Sequence, residues 1–465
     1  MPDTNKVVHW VLPPWLGLGV QCLYGHRYPP MPIYVLSALA RREGWTAVPV
    51  DLNYEKLPKE DPDLVGIVVW TMLAPQAYAL ADQYRARGIK VVLGGVHASM
   101  LPGEALRHAD AIVVGEAESV MGRLLDDAAA GRMEGVYQGT WGDMTAVPKV
   151  DEWIDIHEKQ PYFRYVPKNT LQSTRGCRFN CDFCSVIRIN GRGSRHRDPA
   201  EVVEELKVLS KRGQRFGSFC HVAFLDDDFA SDLEYTAEMA EAILSSGLKI
   251  SWSAQASIGL SRDPKVVDLV AKAGLTVIFT GFESTSRETL IECNKKNRPS
   301  MFGESIQTLH DHKILVEGGF IFGFDHDEPD VFEHTVAFID NIKVDSAHMA
   351  ILTPLPGTQT FARMAQANRI RTYNWGAYDL YHCVFEPAQM TAEQLEAGLW
   401  QAYHDFYARR PRLRRWRRHV GMGLRMTVGG VITKTNMDFA KQYRPGRDER
   451  PRYEADPADI KTLLV

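Results

Sequence analysis

The sequence predicts an α/β protein built on two parallel sheets: an open, doubly wound sheet over residues 1–150 and a partial (β/α)6 barrel over residues 171–375. A linker over 151–170 joins them, and residues 376–465 form a mainly helical C-terminal extension. Short, almost wholly apolar segments alternate with helix-length segments, as strands buried on both faces of a parallel sheet do. Polar and glycine-containing loops recur at the same end of each strand, where such sheets hold ligands. A chain of 465 residues also exceeds what one core can organise.

In the first half, Val7–Leu12 is an apolar strand stopped by Pro13 and Pro14, followed by a loop with Gly17 and Gly19. Met31–Arg42 reads as a helix, Thr46–Asp51 as a second strand and 64–69 as a third. Ala74–Ala86 is an alanine-rich helix. A strand at 90–93 ends in Gly94-Gly95-Val96-His97, and Ala111–Val114 ends in Gly115-Glu116. No G-x-G-x-x-G follows the first strand, so the expected ligand is not a dinucleotide. Residues 151–168, with Trp153, Tyr162, Phe163 and Tyr165, read as an aromatic crossover that packs the halves together.

In the second half, strands are expected at 171–173, 222–225, 250–256, 276–280, 319–322 and 346–352. Helices are expected at 199–209, 233–243, 264–273, from about Arg287, and at 304–316 and 329–339. The strand ends carry Asp226-Asp227-Asp228, Gln255, Glu283, Gly323 and a turn over 354–358. A barrel places its chemistry at this edge.

The first of these strands feeds Ser173-Thr174-Arg175-Gly176-Cys177-Arg178-Phe179-Asn180-Cys181-Asp182-Phe183-Cys184, which holds three of the seven cysteines as C-x3-C-x2-C. A structural zinc takes four protein ligands. Cysteine thiolates are the usual ligands of a four-iron cubane, and three of them would leave one iron open. The competing reading is a degenerate zinc knuckle or unligated thiols, but no second Cys/His pair follows at zinc-finger spacing. Cys22, Cys220, Cys293 and Cys383 stand alone and read as small buried hydrophobes.

The loop resembles the signature of the radical S-adenosylmethionine (SAM) enzymes. The resemblance implies a 4Fe-4S cluster on Cys177, Cys181 and Cys184, with SAM chelating the open iron and Phe183 against its adenine. The stretch FLDDDFA is similar to the family's F-x-D-D-x-F. It implies that Asp227, with Asp226 and Asp228 as rivals, faces the SAM ammonium, a charge-assisted contact. Gln255 and Glu283 fall where family members touch the ribose or substrate, and Gly323 and the 354–358 turn match loops shaped around adenosine. Structural readings stand beside these: an aspartate run can cap a helix, and Glu283 can form an ion pair.

The N-terminal stretch GGVHASMLPGEALRHADAIVVGEAE resembles the Rossmann-like cobalamin-binding domain that precedes many radical SAM domains. Gly94 and Gly95 match glycines that let the nucleotide tail lie close to backbone, and Thr71 matches a hydroxyl near that tail. The fuller D-x-H-x-x-G motif is absent, and His9, His26 and His97 lack its context. The domain therefore either binds cobalamin without a protein ligand to cobalt or keeps the fold only for packing. His97 by itself reads as a satisfied loop histidine. The N-terminal part has only Cys22, which argues against the methylthiotransferases and their second cluster.

The resemblance as a whole implies a cobalamin-dependent radical SAM C-methyltransferase acting on an unactivated carbon of an apolar or polycyclic small molecule. The alternatives are an oxidase or cyclase similar to the anaerobic magnesium-protoporphyrin ester cyclase, a radical SAM enzyme without cobalamin, and a non-enzymatic iron–sulfur sensor or scaffold. It also implies an external flavodoxin or ferredoxin as reductant and an anaerobic setting. Hydrophobic residues at 45 % and charged residues at 24 % describe a globular protein. A net charge of -4 gives no general affinity for nucleic acid. With no charged-then-apolar leader and no run of 18 apolar residues, a cytoplasmic location is expected. Near the C-terminus a helix over 391–407 precedes an arginine-rich run, Arg409 to Arg418, and an apolar stretch. Residues 409–430 read as a solvated basic helix, a peripheral contact with anionic lipid, or a site for an anionic substrate.

Overall fold

The computed structural model describes residues 6–15, 28–158, 169–214, 220–408, 413–415, 453–456 and 459–460. The first sheet contains β1 (Val7–Leu12), β2 (Thr46–Asp51), β3 (Leu64–Val68), β4 (Lys90–Gly94), β5 (Ala111–Val114) and β6 (Val136–Gln138), in the spatial order β2-β1-β3-β4-β5-β6. All pairings are parallel. The order reverses between β1 and β3, which is where a doubly wound sheet opens a crevice. Met31–Arg42 and Ala74–Ala86 form as expected, each with proline in its first turn.

Short strands β7 (Asn169–Leu171), β8 (Thr174–Arg175) and β9 (Arg195–His196) flank the cysteine loop, β8 and β9 pairing antiparallel. The remaining strands are β10 (His221–Phe224), β11 (Ser251–Gln255), β12 (Leu275–Glu283), β13 (Leu315–Phe322) and β14 (Ser346–Ile351). Their sheet runs β14-β13-β12-β11-β10-β7, all parallel. It is a six-stranded (β/α) sheet of the partial-barrel type, with every carboxyl end on one edge.

Two expectations need correction. The helix expected over 304–316 is Phe302–Asp311, because Lys313 takes a left-handed φ of 62° and the apolar run behind it enters β13. The crossover after residue 150 begins as the helix Val150–Glu158. It packs on Met31–Arg42 through Arg41–Asp155 at 2.8 Å and Arg42–Glu152 at 2.6 Å, and Trp153 stacks on Tyr34 at 5.9 Å. Tyr162, Phe163 and Tyr165 lie outside the described residues.

The halves share their apolar cores. One face of the first sheet runs through Trp153 and Ile156 into the barrel. The other face packs Phe361, Trp375 and Val384 from beyond β14. A buried carboxylate joins the two sides of that second core: Glu104 accepts from Tyr78 Oη at 2.8 Å and from Trp375 Nε1 at 3.0 Å, with His97 Nε2 at 3.2 Å. His97 is thus fully buried on a short helix, not on a loop. Residues 453–456 and 459–460 close over the same region. Asp459 pairs with Arg107, Glu454 accepts from Thr372 Oγ1 at 3.2 Å, and Tyr453 lies against Tyr78.

The helix Ala392–Phe406 carries a capping box at Thr391 and Gln394. Of the arginine-rich run, 409–412 and 416–430 lie outside the described residues. Arg415 is not solvated: it is 2 % exposed, its guanidinium lies 3.9 Å from the centre of the Phe406 ring, and it neighbours Asp340. Among the described residues no helix is long and apolar enough to cross a membrane.

Candidate active site

The cysteine loop is clasped from several sides. Gly193 N–H donates to Cys177 O at 3.2 Å, Asp182 N–H to Cys293 O at 3.1 Å, and Asn294 Nδ2 to Asn180 O at 2.8 Å. Gly176 N–H donates to Asp227 Oδ2 at 2.7 Å. None of these bonds uses a thiol. Burial pushes the Cys177 thiol up to about 11 and Cys184 up to about 12, and raises Cys181. Bare, these groups stay protonated, and a metal would have to displace the protons. Among the described residues no three His, Cys, Asp or Glu side chains converge as ligands of one metal ion do. A cubane asks for no such convergence, because each thiolate meets its own iron. Three thiols that make none of these hydrogen bonds are a donor set that a cubane could use, one thiolate to each of three irons.

The neighbours of the loop complete a polar pocket. Phe183 meets Phe324 edge-on at 6.3 Å, which sets the loop beside the turn at Gly323. Asp327 holds that turn by accepting from Gly323 N–H at 2.9 Å and Phe324 N–H at 3.1 Å. Glu283, at the end of β12 with φ of 67°, pairs with Lys295 at 2.8 Å. Lys295 is mostly buried, and its charge acts on the Cys181 and Cys184 thiols. The sequence reading passed over Lys295, because Lys295-Lys296 looks like an ordinary solvated pair. The available signal was its distance of 12 residues from a strand-end glutamate.

The aspartate run is divided among three tasks. Asp226 is saturated by Ser173 N–H at 2.7 Å, Ser173 Oγ at 2.6 Å and Thr174 N–H at 3.0 Å. Asp227 accepts from Gly176 N–H and from Asn190 Nδ2 at 2.8 Å, so it braces the cysteine loop. Gln255, exposed at the end of β11, donates to the Asp227 carbonyl at 3.3 Å. Asp228 accepts from Ser257 N–H at 2.8 Å through Oδ1, while its buried Oδ2 has no hydrogen-bond partner among the described residues. Asp228 also faces the Cys177 side of the loop and the charges of Lys295 and Arg178. Asp227 Oδ1 and Asp228 Oδ2 thus each stay outside any hydrogen bond among the described residues, and the Asp228 oxygen is the buried one, beside the Lys295 and Arg178 charges.

A cavity of about 540 Å³ lies between the two sheets. Its first-sheet wall is largely apolar, including Trp10, Val68, Val92 and Val113, and Trp153 closes one side. Its barrel wall is polar, with Arg175, Asn190 and Asp227. Arg175 bridges to Glu118 at 2.8 Å, and Arg195 to Glu116, so ion pairs tie the halves at the rim. Gly94 and Gly95 both line the cavity. A Cβ on Gly94 would lie an ordinary 3.7 Å from Val113, so protein packing does not require glycine there. Gly95 differs, since its φ of 106° and a Cβ position 2.9 Å from the Val69 carbonyl demand glycine for the chain itself. Thr71 is not in the lining; it starts the turn Thr71–Leu73, and its neighbour Trp70 reaches the cavity. A slot with one apolar and one polar wall fits a cofactor with a flat aromatic tail and an amide-bearing ring.

Residues 171–339 match the family model described as the radical SAM superfamily, and residues 22–125 match the B12 binding domain. Bacteriochlorophyllide d C-12(1)-methyltransferase of Chlorobaculum tepidum is 32 % identical over 353 residues, covering 74 % of this chain and 75 % of that protein. This chain is a radical SAM enzyme with a B12-binding domain. The anaerobic magnesium-protoporphyrin IX monomethyl ester cyclase of Rubrivivax gelatinosus is 26 % identical, covering 82 % of this chain and 74 % of that one. The cobalamin-dependent SAM radical enzyme OxsB, solved with aqua-cobalamin, shares the fold with a TM-score of 0.66 at 16 % identity, covering 90 % of this chain and 72 % of that one. Membership supports the use of SAM and a B12 cofactor by this radical SAM enzyme.

Proposed function

We propose that this radical SAM enzyme is a cobalamin-dependent C-methyltransferase whose substrate is a tetrapyrrole-like polycyclic small molecule. The observation that carries the reading is the similarity, along three quarters of both chains, to a protein named as a bacteriochlorophyllide methyltransferase. A 4Fe-4S cluster with SAM, and methylcobalamin, when bound, supply hydrogen abstraction from carbon and a transferable methyl group. Cys177, Cys181 and Cys184 would hold the cluster. Asp228 Oδ2 would take the SAM ammonium, Lys295 its carboxylate, and Phe183 the adenine face. Asp227 keeps the cysteine loop in place, and the apolar wall around Gly94 would receive the cobalamin tail. The ion pairs at the rim, Arg175–Glu118 and Arg195–Glu116, would restrict the access of water to the cavity. A flavodoxin or ferredoxin would supply the electron.

A cyclase-type oxidation is the second reading, favoured by the similarity to the magnesium-protoporphyrin ester cyclase over 82 % of this chain. Anaerobic reconstitution with iron, sulfide and hydroxocobalamin, followed by reduction with SAM and a magnesium chlorin, separates the two. Methyl transfer gives a product 14 mass units heavier, about one CH2, together with 5′-deoxyadenosine and S-adenosylhomocysteine. Deoxyadenosine with an oxidised, unmethylated product would refute methylation. Deoxyadenosine with no cobalamin retained would refute the cofactor assignment.

A further inference from the structure

The inner face of the barrel carries a polar pair that none of these roles uses. In the parallel register Phe279 stands beside Glu317, Gly281 beside Gly319, and Gly319 beside His348. Alternate residues of a strand share a face, so all five lie on one face of β12–β14. Cofactor-site residues mark that face as the inner one. A Cβ on Gly281 would lie 3.2 Å from Lys295 Nζ, beside the cysteine loop. A Cβ on Gly319 would lie 3.0 Å from the tip of Phe279 and 3.6 Å from Gly281 Cα. The two glycines leave room for the Glu283 carboxylate, whose Oε1 takes the place a Cβ on Gly281 would need, and for the Phe279 ring over Gly319, and these side chains cover the wall from Lys295 to His348.

At the end of that strip, His348 Nε2 hydrogen-bonds Glu317 Oε1, and the imidazole meets Phe279 edge-on at 5.5 Å. A carboxylate only accepts, so Nε2 carries the proton and the lone pair of the neutral ring sits on Nδ1. Nδ1 has no hydrogen-bond partner among the described residues and is not sealed from solvent. The His348 side chain remains 12 % exposed, against 7 % for Glu317. An imidazole whose one N–H is donated to a carboxylate, and whose other nitrogen is open, is oriented as metal-ligating histidines are.

We propose that His348, held by Glu317, is the axial ligand to the central metal ion of a metallated tetrapyrrole substrate lying over the Phe279 ring, between His348 and the Glu283–Lys295 pair. The inference rests on the tetrapyrrole reading given above. It adds the contact that would orient the ring. The ring's own nitrogens supply the other donors, so a single protein ligand suffices. His348 is two strand spacings, about 10 Å, from Gly281. A ring centred on the histidine therefore turns its periphery, not its centre, toward Lys295 and the cysteine loop, and peripheral carbons are those a C-methyltransferase must reach.

The test uses the full chain reconstituted anaerobically, titrated with a magnesium chlorin and with the metal-free form of the same chlorin. Wild type is expected to bind the magnesium ring at least tenfold more tightly, with the absorbance shift of axial ligation. The variant H348F should bind both rings equally and lose the shift, and H348G should regain the shift when imidazole is added. E317Q should keep binding but lower the preference. Iron content and 5′-deoxyadenosine formation without substrate should be unchanged in H348F. Equal binding of the two rings by wild type, or a preference retained in H348F, overturns the ligation while leaving the tetrapyrrole reading intact. Weaker binding of both rings by H348F to the same degree assigns His348 a hydrogen bond to the ring's substituents and likewise overturns it. Binding of neither ring by wild type refutes the tetrapyrrole reading and the ligation with it.

Discussion

Replacing Trp375 with phenylalanine should loosen the joint between the two halves by a calculable amount. Its Nε1–H reaches both oxygens of Glu104, at 3.0 and 3.1 Å, and that carboxylate is fully buried. A hydrogen bond to a charged group contributes about 1.5–3 kcal/mol. Shrinking indole to phenyl forgoes roughly 50 Å² of burial, within the spread of aromatic side chains, or about 1 kcal/mol. The expected loss is about 3 kcal/mol. At about 2.1 cal/mol/K per residue, a cooperative unit the length of this chain has an unfolding entropy of about 1 kcal/mol/K, so Tm should fall by roughly 3 °C. Tyr378 is the comparison, because it is equally buried but its hydroxyl donates to the Thr372 carbonyl at 2.9 Å and not to a charge. Tyr378→Phe should cost about 1 kcal/mol. Paired thermal melts of the two variants decide the matter. A Trp375→Phe shift no larger than that of Tyr378→Phe refutes the idea that the buried carboxylate carries the joint.

Cys181→Ala should lose the cluster iron while keeping the far-ultraviolet spectrum of the fold; full iron content in that variant contradicts the ligand set. Asp228→Asn should weaken SAM binding roughly 10- to 100-fold, the scale of one charge-assisted hydrogen bond, whereas Asp227→Asn should leave SAM affinity nearer wild type. The reverse order, read by equilibrium dialysis, returns the contact to Asp227. Gly94→Val should at least halve the cobalamin retained after reconstitution without lowering Tm, since space for a first carbon exists and only the cavity is filled; unchanged retention argues against a tail at this wall. Burial raises the Asp226 carboxyl to about 6, outweighing its three hydrogen bonds. Its unfolded pKa is lower, so the folded state holds the proton longer. Wild-type stability should therefore decline as pH rises from about 4 to about 6 and then level off, by at most about 3 kcal/mol. Asp226→Asn mimics the protonated form and should lack that decline, so its Tm advantage over wild type should grow across the same window; an advantage independent of pH contradicts the assignment.

The alternation of apolar strands and helices was legible because strands buried on both faces leave continuous apolar runs, and Met31–Arg42 and Ala74–Ala86 were bounded by proline at their starts. The end of Phe302–Asp311 was not legible, because the left-handed residue is Lys313 and no glycine marks the stop. The cysteine loop announced itself by spacing. The roles within Asp226-Asp227-Asp228 could not be read from adjacent identical residues; which oxygen remains unused depends on backbone N–H groups supplied by Ser173, Gly176 and Ser257. Glu104 and Lys295 were missed for a related reason. Each is a charged residue whose partner lies elsewhere in the chain, and composition alone makes both look like surface.

The contact between Arg107 and Asp459 joins residues 352 positions apart. At about 5–20 residues per second, a ribosome takes roughly 20–70 s to travel that distance. Once β6 has emerged the first sheet is complete, while the segment that packs on its helix Pro102–Arg107 does not yet exist. The face of that sheet that carries Tyr78 and Arg107 therefore stays uncovered until Tyr453 and Asp459 have been added.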